Sequence, residues 1–501
     1  MTARNDLGTL EASGLVQVAA LEPELEYLFR HALVQDAAYS SLLKQDRRTL
    51  HRLAAETLLT LYPDRRRELA AVIALHFERS GDLPAAAEHL VVAGEHALER
   101  FANREALAFF DRAEAALGDD DRRVDLRLRA ALGGAKVSWT FGSIDGPTKR
   151  LERALGFGEE HATLKLVGDA YFWLAFLRRL RGERPDSSPS LKHAAERAAQ
   201  IGRSLGDPLA DAIPNAFAGV GMMGTGQLRE GARLLSESLP PIIAHGDPLS
   251  SAILSGLLAT MYARLGEFAS AERWLADAER LAEGGDPIAT LDVQISRSSL
   301  MIERGDIAEG EALASSCAAR SEELGALACG VASNVMAGIA HLAHDDALGA
   351  KMPLERGDEL AQVSNMEPFR TMAQGMLGSV RTQLGDAPAG VAAWALALER
   401  ANAMHDLGGE ALTLWQRART RARATPPDHA TALADIDAAT KLLEQMEARP
   451  SLARALRLRA QILRALGRAA DADAADQRSR AIATELGLTD FAASGASAGS
   501  H

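Results

Sequence analysis

The stretch DPLSSAILSGLLATMYARLGEFASAERWLADAERL, residues 247–281, decides the fold. Asp247-Pro248 opens it. Proline at a first helical position forfeits no hydrogen bond, and an aspartate ahead of it can cap the free amides for ~1 kcal/mol. Leu258, Ala259 and Tyr262 share one face of the first helix, Gly266 ends it, and Ala271, Leu275 and Ala278 line a second helix. Small residues let the two helices approach, and the large ones fill the gap that is left. The result is a helical hairpin with an apolar face too large to bury alone.

The same punctuation recurs outward from this unit. Helix starts fall at Asp207-Pro208, Asp247-Pro248, Asp286-Pro287, Glu367-Pro368 and Arg449-Pro450, with proline steps of 40, 39, 81 and 82 residues. A second ladder of turn residues runs through Gly226, Gly266, Gly305, Asp345, Gly385, Thr425 and Gly467, in steps of 40, 39, 40, 40, 40 and 42. Two interleaved marks per period describe a hairpin repeated in tandem, a solenoid whose repeats bury one another. The packing pattern returns at Ile73, Ala74, Phe77, Gly81, Ala86, Leu90 and Ala93, and at Leu377, Gly378, Gly385, Gly390 and Trp394.

On these residues the chain resembles the tetratricopeptide superfamily over residues 66–485, with helices longer than that family's usual ~34-residue unit. The expected fold is all-α: a tetratricopeptide-like right-handed superhelical solenoid of helical hairpins with a ~40-residue period, preceded by a small winged-helix remnant. The expected segments are 1–43 (winged-helix remnant with β-hairpin), 44–118 (linker helices and first repeats), 119–205 (irregular helical repeats), 206–486 (regular repeats) and 487–501 (disordered tail). Arg297 and Arg459 stand at apolar positions of the pattern, and RGERPDSSPS (181–190) reads as a polar loop.

Composition narrows the function classes. Hydrophobic residues make up 47% of the 501, enough for a full core, while aromatics at 5% favour closely packed helices over a sandwich or barrel. A formal charge of −13 argues against a general nucleic-acid binder. Two cysteines, Cys317 and Cys329, form neither a disulfide framework nor a metal cluster and read as buried thiols in a reducing compartment. No signal-like start and no apolar run of ~18 residues is present, so the expectation is a cytoplasmic protein without a membrane partner.

The N-terminal residues follow another pattern. LVQVAALEPELEYLF (15–29) reads as two short strands around Glu22-Pro23, followed by helices over RHALVQDAAYSSLL and RRTLHRLAAETLLTLY. A lone hairpin needs a partner to cover Leu15, Val16, Val18, Leu25, Tyr27 and Phe29. The run EYLFRHALVQDAAYSSLLKQDRRTLHRLAAETL resembles a segment of bacterial multidomain signal-transduction ATPases, among them maltose-activator-type regulators and class III adenylate or guanylate cyclases linked to an ATPase. Tyr27, Phe29, His31, Leu33, Ala37, Tyr39 and Leu42 carry the match. In those families the segment ends a winged-helix domain between the ATPase core and a tetratricopeptide-like sensor. His31 falls where related ATPases carry a Met-His-Asp motif whose histidine contacts nucleotide; here its neighbours are Arg30 and Ala32. The resemblance implies a nucleotide contact at His31. The residues alone also fit a histidine on the winged-helix surface.

Motifs for catalysis are missing. No phosphate-binding G-x-x-x-x-G-K-[ST] loop occurs, and GSIDGPTKR (142–150) has the wrong spacing. Gly219-Val220-Gly221-Met222-Met223-Gly224 spells a dinucleotide fingerprint, but inside a helix, where close helix packing accounts for it. His341 and His344, followed by Asp345-Asp346, fit a helix end beside a capping acid better than a metal site. No cofactor is expected.

One site-like concentration remains, on the first helices of late repeats, which line the inner groove of such arrays. Trp415, Arg419 and Arg423 share a face, and Arg454, Arg457, Gln461 and Arg464 occupy the matching face of the last repeat. Guanidinium groups beside an aromatic can clamp a carboxylate or phosphate through bidentate bonds and stacking. A solvated arginine face is the competing account of the same residues. Asp292, Ser299 and Glu303 make a stretch of opposite sign further back. The function expected is a non-catalytic sensor and interaction module of an ATPase or cyclase system, taking a small ligand or protein partner in the groove. The alternative is a piece of a longer enzyme whose ATPase and cyclase domains lie upstream, in cis, or are supplied in trans.

Overall fold

The structure is a computed structural model that describes residues 3–20, 26–118, 123–138, 141, 144–181, 183, 188–246 and 248–491. The chain divides into two compact units, Met1–Ala130 and Ala131–His501.

The first unit begins with helix α1 (Ala3–Ala12), strands β1 (Val16–Ala20) and β2 (Glu26–Phe29), and helices α2 (Ala32–Ser41) and α3 (Lys44–Leu61). The expected strand pair forms: β1 and β2 are antiparallel, with Val16 opposite Phe29 and Val18 opposite Tyr27. Glu22-Pro23 and Leu25 lie outside the described residues. Within the hairpin Val16 is buried, whereas Leu15, Leu28 and Phe29 are exposed. Helix α2 buries none of its residues. The packed part of the unit is α3 with α4 (Ala70–Ser80), α5 (Leu83–Glu99) and α6 (Asn103–Leu117), around Ala55, Ile73, Phe77 and Ala86. Gly81 ends α4 in the left-handed conformation, and Asp82 accepts from the Ala85 amide at 3.3 Å to start α5. The helix α7 (Val124–Ser138) crosses the boundary between the units.

The second unit continues with α8 (Asp145–Gly156) and then eight hairpins. They are α9 (Leu164–Leu180) with α10 (Pro189–Leu205), α11 (Ala212–Gly224) with α12 (Leu228–His245), α13 (Pro248–Leu265) with α14 (Phe268–Ala282), and α15 (Pro287–Arg304) with α16 (Ile307–Leu324). The others are α17 (Leu327–Ala343) with α18 (Ala347–Val363), α19 (Glu367–Gln383) with α20 (Ala387–Met404), α21 (Leu407–Ala422) with α22 (His429–Gln445), and α23 (Arg449–Ala465) with α24 (Ala469–Leu486). From α13 to α23 each first helix packs on the first helix of the next hairpin, the stacking of a tetratricopeptide-like solenoid.

Six of the seven turn-ladder residues are left-handed: Gly226, Gly266, Gly305, Gly385 and Gly467 have positive φ and Asp345 adopts it at φ 63, whereas Thr425 does not. A further set, which the sequence reading did not include, closes the second helices at Asn365, His405 and Glu447, with φ of 54 to 55. Asp207-Pro208 does not begin a helix. Pro208 lies in a turn in which Asp207 accepts from the Leu209 amide at 2.8 Å, and α11 starts only at Ala212. Glu367 and Arg449 are first helical residues, and Met366 and Ala448 take the capping positions. Gly219 lets α12 approach α11 so closely that a Cβ there would stand 2.7 Å from the Gly231 carbonyl, in accord with a packing role for that glycine run.

The array also closes on itself. One apolar core joins Ala216, Leu258 and Met261 of the early hairpins to Leu414, Ile436 and Leu456 of the late ones. Along this seam Met446 packs against the Gly226 turn and Leu486 against the Gly266 turn. Arg229 pairs with Glu447 at 2.8 Å, 218 residues away in sequence. Residues 488–491, expected in a disordered tail, are instead packed: Leu488 is 3% exposed, and Thr489 to Phe491 lie against the array. Residues 492–501 lie outside the described residues.

Candidate functional site

Helix α21 starts sharply because Asp406 accepts from the Gly409 amide at 2.8 Å. From that start Trp415, Arg419 and Arg423 follow at four-residue spacing and share a face. Trp415 is half-buried against the closing core. The Arg419 side chain is only 14% exposed and pairs with Asp345, as does Arg423. Asp345 is the turn between α17 and α18, the one position of that ladder at which an acid takes the left-handed conformation. Burial and the like charges of Arg423 and Arg457 push the Arg419 guanidinium down to about 10. The Asp345 carboxylate that they share is itself half-exposed.

On α23, Arg454 is 12% exposed and bound on several sides. It donates to the Asp490 carboxylate at 2.9 and 3.2 Å, to the Ile302 carbonyl at 3.2 Å and to the Glu303 carbonyl at 3.0 Å. The Glu303 carboxylate lies 3.7 Å from it, so the acidic stretch on α15 reaches the basic stretch on α23. Burial pushes the Glu303 carboxyl up, and Arg454 and Arg264 oppose that shift. Arg457 is 3.7 Å from Asp490 and lies over the Phe491 ring at 4.0 Å. Its guanidinium is held down mainly by burial. Gln461 is exposed. Arg464 turns to its own hairpin, 3.4 Å from Asp473 and 3.2 Å from Asp476 on α24.

The predicted residues thus separate. Arg419, Arg423 and Arg457 interact as one basic group, and Arg454 joins it through Asp490. Arg464 belongs to an ion pair within its hairpin, and Trp415 belongs to the core. The pattern exceptions Arg297 and Arg459 are likewise matched across helices, to Glu279 at 2.7 Å and Asp437 at 2.6 Å. Three groups at the site were not foreseen: Asp345, Asp490 and Phe491. The signal for Asp345 was an acid in a ladder of glycines. His31, in the first unit, is an exposed residue at the start of α2 and makes no capping bond with its side chain.

Asp292 on α15 stands apart. Its Oδ2 is buried without a hydrogen-bond partner, and burial pushes the carboxyl up to about 7. Burial first, then the Asp292 charge, pushes the Cys317 thiol up to about 11, and Cys329 moves in the same direction. Thiols held protonated in this way are poor nucleophiles. Among the described residues no group of three or more His, Cys, Asp or Glu could hold a metal ion, and no helix is long and apolar enough to cross a membrane.

No family model matches the chain. An uncharacterized protein of Rhizobium meliloti (strain 1021) is 30% identical over 156 residues, which cover 29% of this chain and 15% of that protein. The chain therefore matches only a small part of that relative's length. Among solved structures it is similar to a Rap protein complexed with Competence and Sporulation Factor, at 11% identity and a TM-score of 0.43, covering 80% of this chain and 98% of that one. The Rap conjugation gene regulator of plasmid pLS20, in complex with the Phr* peptide, gives 10% identity and a TM-score of 0.45 over 71% of this chain and 94% of that one. The human IFIT1 dimer with PPP-AAAA gives 13% identity and a TM-score of 0.39 over 84% and 95%.

Proposed function

We propose that residues 131–501 form a non-catalytic sensor and interaction module that receives an anionic ligand, or an acidic segment of a protein partner, at Arg419, Arg423 and Arg457. The observation that carries this reading is Arg419 itself: a largely buried guanidinium that shares the Asp345 carboxylate with Arg423 and feels the further like charge of Arg457. Burial and the charges of Arg423 and Arg457 destabilise the Arg419 cation, and a multivalent anion relieves that repulsion. The resemblance of residues 15–116 to signal-transduction ATPases supplies the context, a regulatory arm of an ATPase or nucleotide-cyclase system. In that context ligand capture shifts an equilibrium between resting and active states.

Thermal unfolding with inorganic pyrophosphate tests the reading. At matched ionic strength, pyrophosphate is expected to raise the midpoint by on the order of 1–3 °C over chloride. The increment should vanish in Arg419→Ala/Arg457→Ala. An increment equal in the variant would remove the anion site.

A second reading rests on the N-terminal face. Leu33 is 82% exposed and Leu43 72%, and α2 buries nothing. Such a face fits a neighbouring ATPase or cyclase domain, joined in cis or bound in trans. This module would then be one arm of an enzyme. In that setting His31, at the head of α2, is the residue for a nucleotide contact. His31→Ala should leave pyrophosphate binding untouched and change nucleotide retention only in the assembled ATPase.

A further inference from the structure

We infer that the arginines of α23 form a binding site for a peptide bearing an acid followed by an aromatic, and that the chain's own Leu488–Phe491 occupies it. The inference rests on the reading of this inner face as a ligand-binding surface and adds the chemistry of the ligand. Helix α24 stops at Gly487, left-handed at φ 67, and the next four residues turn onto the array. Each of them is met by its own partner.

Leu488, 3% exposed, packs with Ala453 of α23 and Ala483 of α24, against Phe268 of α14. The Thr489 hydroxyl donates to the Asp306 carboxylate at 2.9 Å, with the Arg304 carbonyl at 3.4 Å. Asp490 takes the fork of Arg454 at 2.9 and 3.2 Å. Phe491 covers Arg457 at 4.0 Å. The Gly305 turn is shaped to this segment, because a Cβ there would stand 2.6 Å from Asp490 Oδ1 and 2.7 Å from the Asp490 amide and the Thr489 hydroxyl.

Recognition here is by side chains in sequence: an aliphatic residue in a notch, a hydroxyl on a helix end, an acid in a guanidinium fork, an aromatic on a guanidinium face. These are the contacts by which peptides are read. The receptor side needs an acid at this place. With Asp490 gone, Arg454 keeps the Ile302 and Glu303 carbonyls, but its nearest carboxylate is then Glu303 at 3.7 Å. The segment hangs from a single glycine, so it leaves by rotation at one residue. Tethered so closely, it competes at an effective concentration of roughly millimolar or more, and a free peptide meets a filled site.

The probe is a fluorescein-labelled peptide LGLTDFAASG, residues 486–495, titrated into the full chain and followed by anisotropy. Asp490→Ala/Phe491→Ala is expected to bind it at least tenfold more tightly than the unaltered chain. Adding Arg454→Ala should abolish that binding. A natively folded double variant that binds no better than the unaltered chain would overturn the site.

A second measurement needs no variant. Chymotrypsin cleavage after Phe491 in the unaltered chain should quicken several-fold with millimolar unlabelled peptide. It should not respond to the same peptide with Ala at the Asp and Phe positions. Cleavage indifferent to both peptides would likewise overturn the site. Pyrophosphate stabilisation is also read in Arg419→Ala alone, which leaves Arg454 and Arg457 in place, so either idea can fail alone.

Discussion

Gly305 and Gly385 hold the same post in their hairpins, with φ of 108 and 100, yet their surroundings are opposite. A side chain at Gly305 would strike Asp490 and Thr489, whereas one at Gly385 would meet nothing within 4 Å. The difference extends along the array. The turn at Gly226 receives Leu407 and Met446 of a late hairpin, and those at Gly266 and Gly305 receive Leu486 and then Thr489 and Asp490, while those at Gly385 and Gly467 are open. One repeated turn therefore does two jobs. It ends a helix everywhere, and on the early hairpins it is also a docking edge.

The comparison can be broken most directly by adding a methyl group at both places. Gly305→Ala should cost about 2–4 kcal/mol, the left-handed strain of ~1–2 kcal/mol plus displacement of the docked segment. Gly385→Ala should cost only the strain, about 1–2 kcal/mol. Urea denaturation of the two variants decides it, and equal losses would mean that the docked segment contributes nothing.

Asp292 sharpens the picture at an intermediate scale. Its folded-state value of about 7 lies above the ordinary 3.8, so the fold favours the protonated acid. That contribution is complete below the ordinary carboxylate range and is lost as pH rises from about 4 through about 7. Asp292→Asn should therefore stabilise the chain by about 1–3 kcal/mol at pH 8 and change little at pH 4. Parallel melts at the two pH values test this, and a gain that is independent of pH would contradict it.

The smallest effect belongs to the N-terminal face. Leu33→Ser and Leu43→Ser remove exposed apolar groups and should each shift stability by no more than ~0.5 kcal/mol. A loss of several kcal/mol in thermal unfolding would show that this face is already covered.

Much of the architecture was legible because hairpin packing is local. Gly81 and the faces built on Ile73 and Leu90, or on Leu258 and Leu275, follow from spacing within forty residues. The strand pair around residues 21–25 was legible from its alternation. What escaped depends on curvature, which no local period encodes. Arg454 could be assigned to an inner face, but its bonds to the Glu303 carbonyl 151 residues away and to Asp490 36 residues away require the array to close. The segment Leu488–Phe491 was assigned to the tail because the small, polar run after it dominates the composition there. Asn365, His405 and Glu447 escaped because backbone bonds at the helix ends, such as Asp406 N–H to the Ala401 carbonyl at 2.8 Å, hold ordinary residues in a conformation that a sequence usually marks with glycine. Asp207-Pro208 misled because an Asp turn and a capped helix start share the same letters.

The closing seam has a consequence for ancestry. An open array of hairpins tolerates duplication or loss of a unit, since each repeat touches only its neighbours. Here Arg229 must find Glu447 218 residues on, and Thr489 must reach Arg304 across 185. A gene that gained or lost one hairpin between those points would put the wrong residue at every meeting place. Such a closed array fixes its own number of units, so deleting one hairpin should disrupt the seam as well as the hairpin's neighbours.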